Sequence, residues 1–413
     1  MKFTNDFFSV SNTDPAAEFV QLVDSNSFEI FVFKKVTLWI DGQTIIGKPV
    51  DGVIFIRKGG SDIYYQRIFD SSVNVKWFGV KDREEENADQ SAKIQKCIDT
   101  SYDLLRHQRI IKNGIEIDND LGGEFFTASI PIYFPKGKYV ITDKIILQNG
   151  TVLRGENKNC VEFVSPHHDT IGFTTLRYIL DTHYAMSNQV GIENITFNQI
   201  GIELFGAVKS YIKDCNFMNC NNITAILLKL SVNIVIEDVH IRGNPAGAGG
   251  GISIIKDVGN GPNTTIRMNR VWIQSCRTGI YISSNSGLGN ALDSSSLTNS
   301  IIEYCTIGIY MEGRINNLNI NDLHFEMLEQ AAIVSTAIGT VSLSELWFDI
   351  SEEATFGKVG NIVLNSSDNS TVFHFYNVHT PIHIRQDYSG KVLLFGVGNI
   401  VENTSGVTPV LYQ

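Results

Sequence analysis

A short pattern of polar and apolar positions returns through the stretch from Ile192 to Ile350. Each copy is four residues long, with a polar residue first and a large apolar residue last, and the copies begin at Asn194, Asp214, Asp238, Arg270, Asn299, Asp322 and Glu345. Successive copies are 20 to 32 residues apart, a spacing typical of stacked units that each bury one face against the next. Apolar positions alternate with period 2 and show no helical spacing, which indicates short β-strands.

A second alternating pattern follows each of the first six copies, at Gly201–Leu204, Ala225–Leu228, Gly251–Ile254, Gly279–Ile282, Gly308–Met311 and Ala332–Ser335. Several short strands in every repeat, stacked as a coil, predict an all-β chain folded as a parallel β-helix. The chain has 413 residues, and a solenoid of that length can be one domain because each unit contacts only its neighbours.

Flanking regions complete the predicted organisation. Residues 1–75 are predicted to form a small β region for attachment or capping, from strand and turn signals at 31–40, 53–57, Asp41-Gly42 and Gly59-Gly60. An amphipathic helix at 89–106 is predicted to cover the open end of the first coil, because its apolar face carries Ile94, Cys97, Ile98 and Leu105. The β-helix with this cap is expected over 76–350, and 351–413 is expected to form the last coils or an oligomer contact.

Motifs near the start of the coil point to a family. A helix carrying Ala92-x-Ile94-Gln95 is followed by Phe134-Pro-x-Gly-x-Tyr139 and then by Leu153-x-Gly155. With these motifs, residues 73–350 resemble the pectate-lyase-like right-handed β-helix superfamily, in the version found in bacteriophage tailspikes and capsule depolymerases. The resemblance implies a right-handed coil, a polysaccharide partner such as a bacterial capsule, exopolysaccharide or O-antigen, and assembly as a homotrimer. The loop before the helix departs from the family pattern, because it is Glu-rich and not rich in Gly and Asp.

Charge and composition exclude some classes of binding partner. A net charge of −11 argues against nucleic acid, because phosphate binding needs clustered Lys and Arg. No stretch has 18 consecutive apolar residues, so membrane insertion is not expected. The first ten residues lack the basic start and apolar core of a signal peptide. Together with the resemblance, this predicts a virion tail or an extracellular location reached by lysis or a specialised route.

Few residues suggest a metal or redox function, and no cofactor is expected. The six cysteines have no zinc-like spacing, and three of them share one column as buried small residues: Cys220, Cys276 and Cys305. Asp214 and Asp238 occupy equivalent bend positions in successive repeats. A calcium site there is an alternative, but Asp at a sharp bend is more often a local hydrogen-bonding residue.

Alternation also predicts which side chains point outward. In each first strand the residues beside the third position are apolar, so the third position and the one two residues later face solvent. We call these two outward columns the strip. Its first column is Thr196, Asn216, His240, Trp272, Ile301, His324 and Trp347, and its second is Asn198, Met218, Arg242, Gln274, Glu303, Glu326 and Asp349.

The strip has the composition of a carbohydrate groove, because aromatic faces pack on sugar rings and carboxylates perform acid–base chemistry. The candidate catalytic residues are Glu303, Glu326 and Asp349, and the candidate substrate-binding residues are Trp272, Trp347, His240, Arg242, His324 and Gln274. Carboxylates one coil apart, about 5 Å, suit a retaining glycosidase, and carboxylates two coils apart, about 10 Å, approach the separation of an inverting one.

Other interpretations stay open at this point. Arg242 with His240 or His324 could support β-elimination, as in pectate lyases, and the strip could belong to an adhesin or tail fibre that only binds glycan. It could also be ordinary solvated surface. A second outward column is largely apolar and predicts a trimer contact or a surface covered by 351–413; it contains Glu203, Leu227, Ser253, Tyr281, Tyr310 and Val334.

Overall fold

Stacked parallel strands dominate the computed structural model, which confirms the predicted right-handed parallel β-helix. The described residues are 18–23, 30–39, 44–47, 50–69, 72–106, 110–112, 115–117, 130–167, 170–175, 178–180, 183–185, 187–244, 246–256, 261–284, 289–349, 362–365, 368, 371–378, 381–384, 389–395, 400–403 and 409–412. None of the helices in these ranges combines the length and hydrophobicity needed to cross a bilayer.

The N-terminal strands form an antiparallel sheet of their own in the order β1-β2-β4-β3, from β1 (Phe19–Val23), β2 (Ile30–Val36), β3 (Phe55–Arg57) and β4 (Tyr64–Arg67). The predicted turn at Gly59-Gly60 joins β3 to β4, and Gly60 has a φ of 71° there. The strand predicted at 31–40 ends at Val36. The other predicted turn, Asp41-Gly42, lies outside the described residues.

A helix caps the start of the coil as expected. After β5 (Val73–Asn74) and a 3-10 helix (Val75–Phe78), α1 spans Ser91–Arg106 and so begins two residues later than predicted. The Asp89 carboxylate accepts the Thr142 N–H of the first coil at 2.9 Å, and Gln95 accepts the Ile146 N–H at 2.7 Å. Three residues of the predicted apolar face are fully buried, Ile94, Cys97 and Ile98; the side chain of Leu105 is outside the described set.

The first coils contain β8 (Ile130–Phe134), β9 (Gly137–Val140), β10 (Ile145–Leu147), β11 (Thr151–Gly155), β12 (Val161–Val164), β13 (Thr170–Thr175) and β16 (Ser187–Asn188). Two antiparallel strand pairs form separate small sheets, β6 (Ile110–Lys112) with β7 (Ile115–Ile117) and β14 (Tyr178–Leu180) with β15 (His183–Ala185). The main coils contain β17 (Gly191–Glu193), β18 (Thr196–Asn198), β19 (Ile200–Phe205), β20 (Ala207–Val208), β21 (Tyr211–Lys213), β22 (Asn216–Cys220), β23 (Ile226–Lys229), β24 (Val232–Gly243), β25 (Gly250–Lys256), β26 (Asn263–Gln274), β27 (Thr278–Ser284), β28 (Asn290–Glu303), β29 (Ile307–Met311), β30 (Arg314–Glu326), β31 (Ala331–Ser335) and β32 (Ile338–Asp349).

Coil formation continues towards the C-terminus through β33 (Ile362–Leu364), β34 (Val372–Tyr376), β35 (Pro381–Ile384), β36 (Lys391–Phe395), β37 (Ile400–Asn403) and β38 (Val410–Tyr412). The odd-numbered strands of this group extend an 11-stranded sheet, and the even-numbered ones extend a 19-stranded sheet, counted over the described residues. These strands therefore lengthen the coil, and they do not fold back over the second outward column. The attachment or capping function of residues 1–75 and the oligomer contact of 351–413 remain predictions.

The polar residue that opens each copy of the first pattern is a bend in the left-handed conformation. All seven have φ between 49° and 61°, and five of the seven are Asn or Asp, the residues that tolerate this region best. The bends divide the long strands β24, β26, β28, β30 and β32 into two outward faces, and the strip is the face that follows the bend. Inside the coil, aromatic rings stack from rung to rung, with Phe197 and Phe217 centroids 5.0 Å apart.

Candidate functional site

Strand pairing places the strip in the two predicted columns. His240 pairs with Trp272, Trp272 with Ile301, Ile301 with His324, and His324 with Trp347. In the second column the pairing runs from Arg242 through Gln274, Glu303 and Glu326 to Asp349. Because the register agrees at every step, the candidate carboxylates lie on three successive coils.

Glu303 departs from the expectation that the whole strip faces solvent, because it is only 7% exposed. Its Oε1 accepts a hydrogen bond from Trp272 Nε1 at 3.0 Å and another from Gln274 Nε2 at 2.7 Å. Trp272 itself is 42% exposed, so the indole presents a free face while its N–H holds the carboxyl group. Gln274 thus positions Glu303, and substrate binding by Gln274 stays a prediction.

The pKa of Glu303 is raised above its usual range. Burial is the largest cause, and the negative charge and hydrogen bond of Glu326 on the next coil act in the same direction. The hydrogen bond from Trp272 opposes both. Two carboxylates on adjacent rungs repel one another when both are ionised, and this repulsion favours the protonated form of Glu303.

The other members of the strip beyond Glu303 are more open. His324 Nδ1 lies 3.2 Å from Glu326 Oε1, and the two side chains are partly exposed. Trp347, on the next coil, is 58% exposed. Asp349 pairs with Glu326 through the backbone, and its side chain is outside the described set. The carboxylate pair is therefore flanked along the coil axis by the exposed rings of Trp272 and Trp347.

His240 packs flat against Trp272, with ring centroids 4.4 Å apart and planes 17° apart. Burial lowers the pKa of His240, and the nearby positive charge of Arg242 lowers it further. Within the described part of the chain, His240 Nε2 is buried without a hydrogen-bond partner. The stacked imidazole supports the Trp272 ring; substrate binding by His240 stays a prediction.

A glycine-rich loop lies beside this end of the strip. It follows Arg242 directly, and Gly249 donates its N–H to Asn221 O at 2.8 Å. A Cβ on Gly249 would lie 2.1 Å from Cys220 O, so the close approach of the two backbones requires glycine there. The Gly- and Asn-rich segments 243–251, 259–263 and 284–290 are candidate loops that could wall a groove, and residues 257–260 and 285–288 of this region lie outside the described residues.

The bend aspartates are engaged with cations of the chain. Arg270 binds Asp238 through two hydrogen bonds of 2.6 and 2.7 Å, and this holds the pKa of Asp238 below its usual range. Lys158 lies 3.8 Å from Asp214. The carboxylates suggested as calcium ligands thus have side-chain partners already. The cysteines of the predicted column are buried, and Cys276 donates its N–H to Cys305 Sγ at 3.4 Å.

Comparison with known proteins places the fold in a family. A family model described as rhamnogalacturonase A/epimerase, pectate lyase-like, matches residues 72–310, more than half of the chain. The chain belongs to this pectate lyase-like family. A search of curated proteins found no match to its sequence.

Solved structures with a similar coil include proteins from bacteriophages and from a bacterial surface. The tailspike protein of Acinetobacter baumannii phage AM24 has 12% identity and a TM-score of 0.61, over 97% of this chain and 65% of its own. Tailspike gp49 of Acinetobacter baumannii bacteriophage Fri1, a capsular polysaccharide depolymerase, has 10% identity and a TM-score of 0.51, over 100% and 76%. The Streptococcus pneumoniae adhesin PfbA has 14% identity and a TM-score of 0.51, over 82% and 81%. At these identities the likeness is one of fold.

Tyr304 is a residue of this pectate lyase-like coil that the sequence interpretation missed. It follows Glu303 directly, has a φ of 53° and is 45% exposed. Equivalent bends on neighbouring coils carry other residues, Gln199, Asn219, Ser275 and Met327. An aromatic ring in a bend column was the available signal, since a bulky side chain in the left-handed region is uncommon.

Proposed function

We propose that this protein binds and hydrolyses a polysaccharide on the strip, with Glu303 and Glu326 as its central carboxylates. The observation that carries the proposal is the buried Glu303 carboxyl, which shares its surroundings with a second carboxylate and lies between two exposed tryptophans. A carboxyl group with a raised pKa is what a glycosidase needs as its general acid.

In the proposed reaction Glu303 donates its proton to the glycosidic oxygen as the bond to the sugar carbon breaks. Glu326 is one coil away, about 5 Å along the axis, which suits a retaining mechanism in which it attacks the sugar carbon. Asp349 is two coils from Glu303, about 10 Å, so it is the alternative partner, activating a water in an inverting mechanism. Trp272 and Trp347 would stack on sugar rings to either side of the cleaved bond.

β-Elimination is the second candidate, and the contact between His324 Nδ1 and Glu326 favours it, because an oriented imidazole is a plausible base. Elimination also needs a cation beside the acidic group of the reacting sugar. Arg242 is the single Arg or Lys of the strip and lies two coils from Glu303. Because this cation is distant from the carboxylate pair, hydrolysis is preferred to elimination as the proposed reaction. The fold shared with the adhesin PfbA supports a third candidate, binding without cleavage.

The biological setting belongs to the same proposal. A bacterial surface glycan is the proposed substrate, since the phage Fri1 tailspike of similar fold is a capsular polysaccharide depolymerase, and a virion tail or extracellular location follows from it. We also propose a homotrimer, with the half-buried Tyr281 and Tyr310 of the second outward column in the contact. Light scattering during size-exclusion chromatography would give the mass, and a monomer of the full chain would contradict the trimer.

The test of the activity is incubation with a panel of capsular polysaccharides and exopolysaccharides. New reducing ends and the near-ultraviolet absorbance of unsaturated sugars would be followed together, with Glu303→Gln and Glu326→Gln alongside. Reducing ends without absorbance, lost in both variants, would support hydrolysis. Absorbance would instead support β-elimination. Binding without either signal would indicate a protein that binds glycan and does not cleave it.

A further inference from the structure

Arg242 is the single Arg or Lys among the residues of the strip. Several cations on the neighbouring faces form ion pairs across adjacent rungs, as Lys213 does with Glu237 at 3.0 Å, Lys229 with Glu203 at 3.3 Å and Arg270 with Asp238 at 2.6 Å. Arg242 is exposed and stands between Met218 and Gln274 in its column. Within the described part of the chain, no carboxylate lies within ion-pair distance of it.

The position of this guanidinium along the strip is also fixed by the register. Arg242 lies two coils from Glu303 and three coils from Glu326, or about 10 and 14 Å along the axis. That is beyond the sugar whose bond the carboxylate pair would cleave. Between Arg242 and the pair, on the intervening coil, is the exposed Trp272 ring. A glycan lying along the axis would thus meet a cation, then an aromatic platform, then the carboxylates.

We infer that Arg242 binds an acidic substituent of the glycan, carried by a sugar distant from the cleaved bond, so that the substrate is an anionic polysaccharide. This rests on the glycan-binding half of the proposed function and names the class of its substrate. An exposed guanidinium offers paired N–H donors that match a carboxylate in two parallel hydrogen bonds. The chain as a whole carries a net charge of −11, so an anionic ligand needs a local cation to be held.

The test uses binding, which does not depend on cleavage. The full-length protein would be titrated with purified bacterial capsular polysaccharides, half with acidic and half with neutral repeats, and with a carboxyl-reduced form of each acidic one that binds. We expect acidic polysaccharides to bind, and carboxyl reduction to weaken binding about 10- to 100-fold, the loss of one charge-assisted hydrogen-bonded pair. Arg242→Gln should cause a similar loss for the acidic form and no further loss for the reduced form.

Arg267→Gln is the matched control, because Arg267 is also an exposed arginine, lies on β26 before its bend and belongs to a different face. It should bind like the wild type. Full-affinity binding of neutral polysaccharides, or equal binding of an acidic one by Arg242→Gln, would overturn the inference. Binding that depends on Arg242 without any product would overturn hydrolysis and leave the inference standing. Binding of no polysaccharide in the panel would overturn both.

Discussion

Replacement of Glu303 by Gln tests its function as a proton donor while keeping the hydrogen bonds that hold its side chain. The amide oxygen of Gln can accept the same two hydrogen bonds, from Trp272 Nε1 at 3.0 Å and Gln274 Nε2 at 2.7 Å. What the substitution removes is the proton that the carboxyl group can donate. General acid catalysis contributes about 100- to 10,000-fold, so kcat should fall by that factor, or about 3 to 5.5 kcal/mol of transition-state stabilisation.

The folding stability of Glu303→Gln should not fall with its activity and should exceed that of the wild type at higher pH. The folded state raises the pKa of Glu303, so the folded protein binds this proton more tightly than the unfolded chain. The contribution of Glu303 to stability is therefore lost as pH rises through its folded pKa, and an uncharged Gln avoids that loss. Glu303→Ala, by contrast, would leave two donors unpaired and should cost about 1 to 3 kcal/mol.

The assay is reducing-end release at saturating polysaccharide, with chemical denaturation of the same preparations. Glu312→Gln is the control, since Glu312 is also a partly buried carboxylate that accepts two hydrogen bonds, from Tyr281 and Ser283, on the other sheet. It should keep wild-type turnover. Wild-type turnover by Glu303→Gln would refute the acid function of this residue. Loss of activity only together with loss of folding would show that Glu303 is structural.

Three further expectations follow from the same geometry. Glu326→Gln removes the negative charge that helps to raise the pKa of Glu303. The pKa of the alkaline limb in the pH profile of any residual activity should therefore be lower than in the wild type, and an unchanged profile would contradict the coupling. Trp347→Ala removes a ring that is 58% exposed, so stability should change by less than about 0.5 kcal/mol. Calorimetry in a Glu303→Gln background should show glycan binding weakened about 2- to 10-fold. Phe217→Ala removes a fully buried ring stacked on Phe197 and should cost about 3 to 5 kcal/mol in guanidinium unfolding; a loss under about 1 kcal/mol would be inconsistent with a packed ladder.

The coil and the register of the strip were predictable because β-structure has a period of 2. A one-residue slip would have turned Trp272 inward and Ile273 outward, and the continuous apolar core excludes that. The bends were predictable only as polar positions. Arg270 and Glu345 adopt the same left-handed conformation as the Asn and Asp of other coils, although neither residue type favours that region.

Burial within the strip could not be predicted from local pattern. Glu303 and Glu326 occupy equivalent positions of the repeat, yet Glu303 is nearly inaccessible and Glu326 is partly exposed. The difference comes from Trp272 and Gln274, which lie on the preceding coil and close over Glu303 through their side-chain N–H groups. Such contacts depend on rotamers of residues about thirty positions away, which alternation does not encode.

The contrast between two outward faces of the same strands supports a functional strip. Before the bend, charges alternate from rung to rung, so that Arg154 meets Glu193 and Lys213 meets Glu237. That arrangement is the one folding favours, since opposite charges on facing positions attract. After the bend, Glu303 faces Glu326 and a cation stands alone two coils away. Like charges on adjacent rungs destabilise a sheet, so folding gives no reason for them. A site that must hold a proton and orient a charged polymer requires that arrangement.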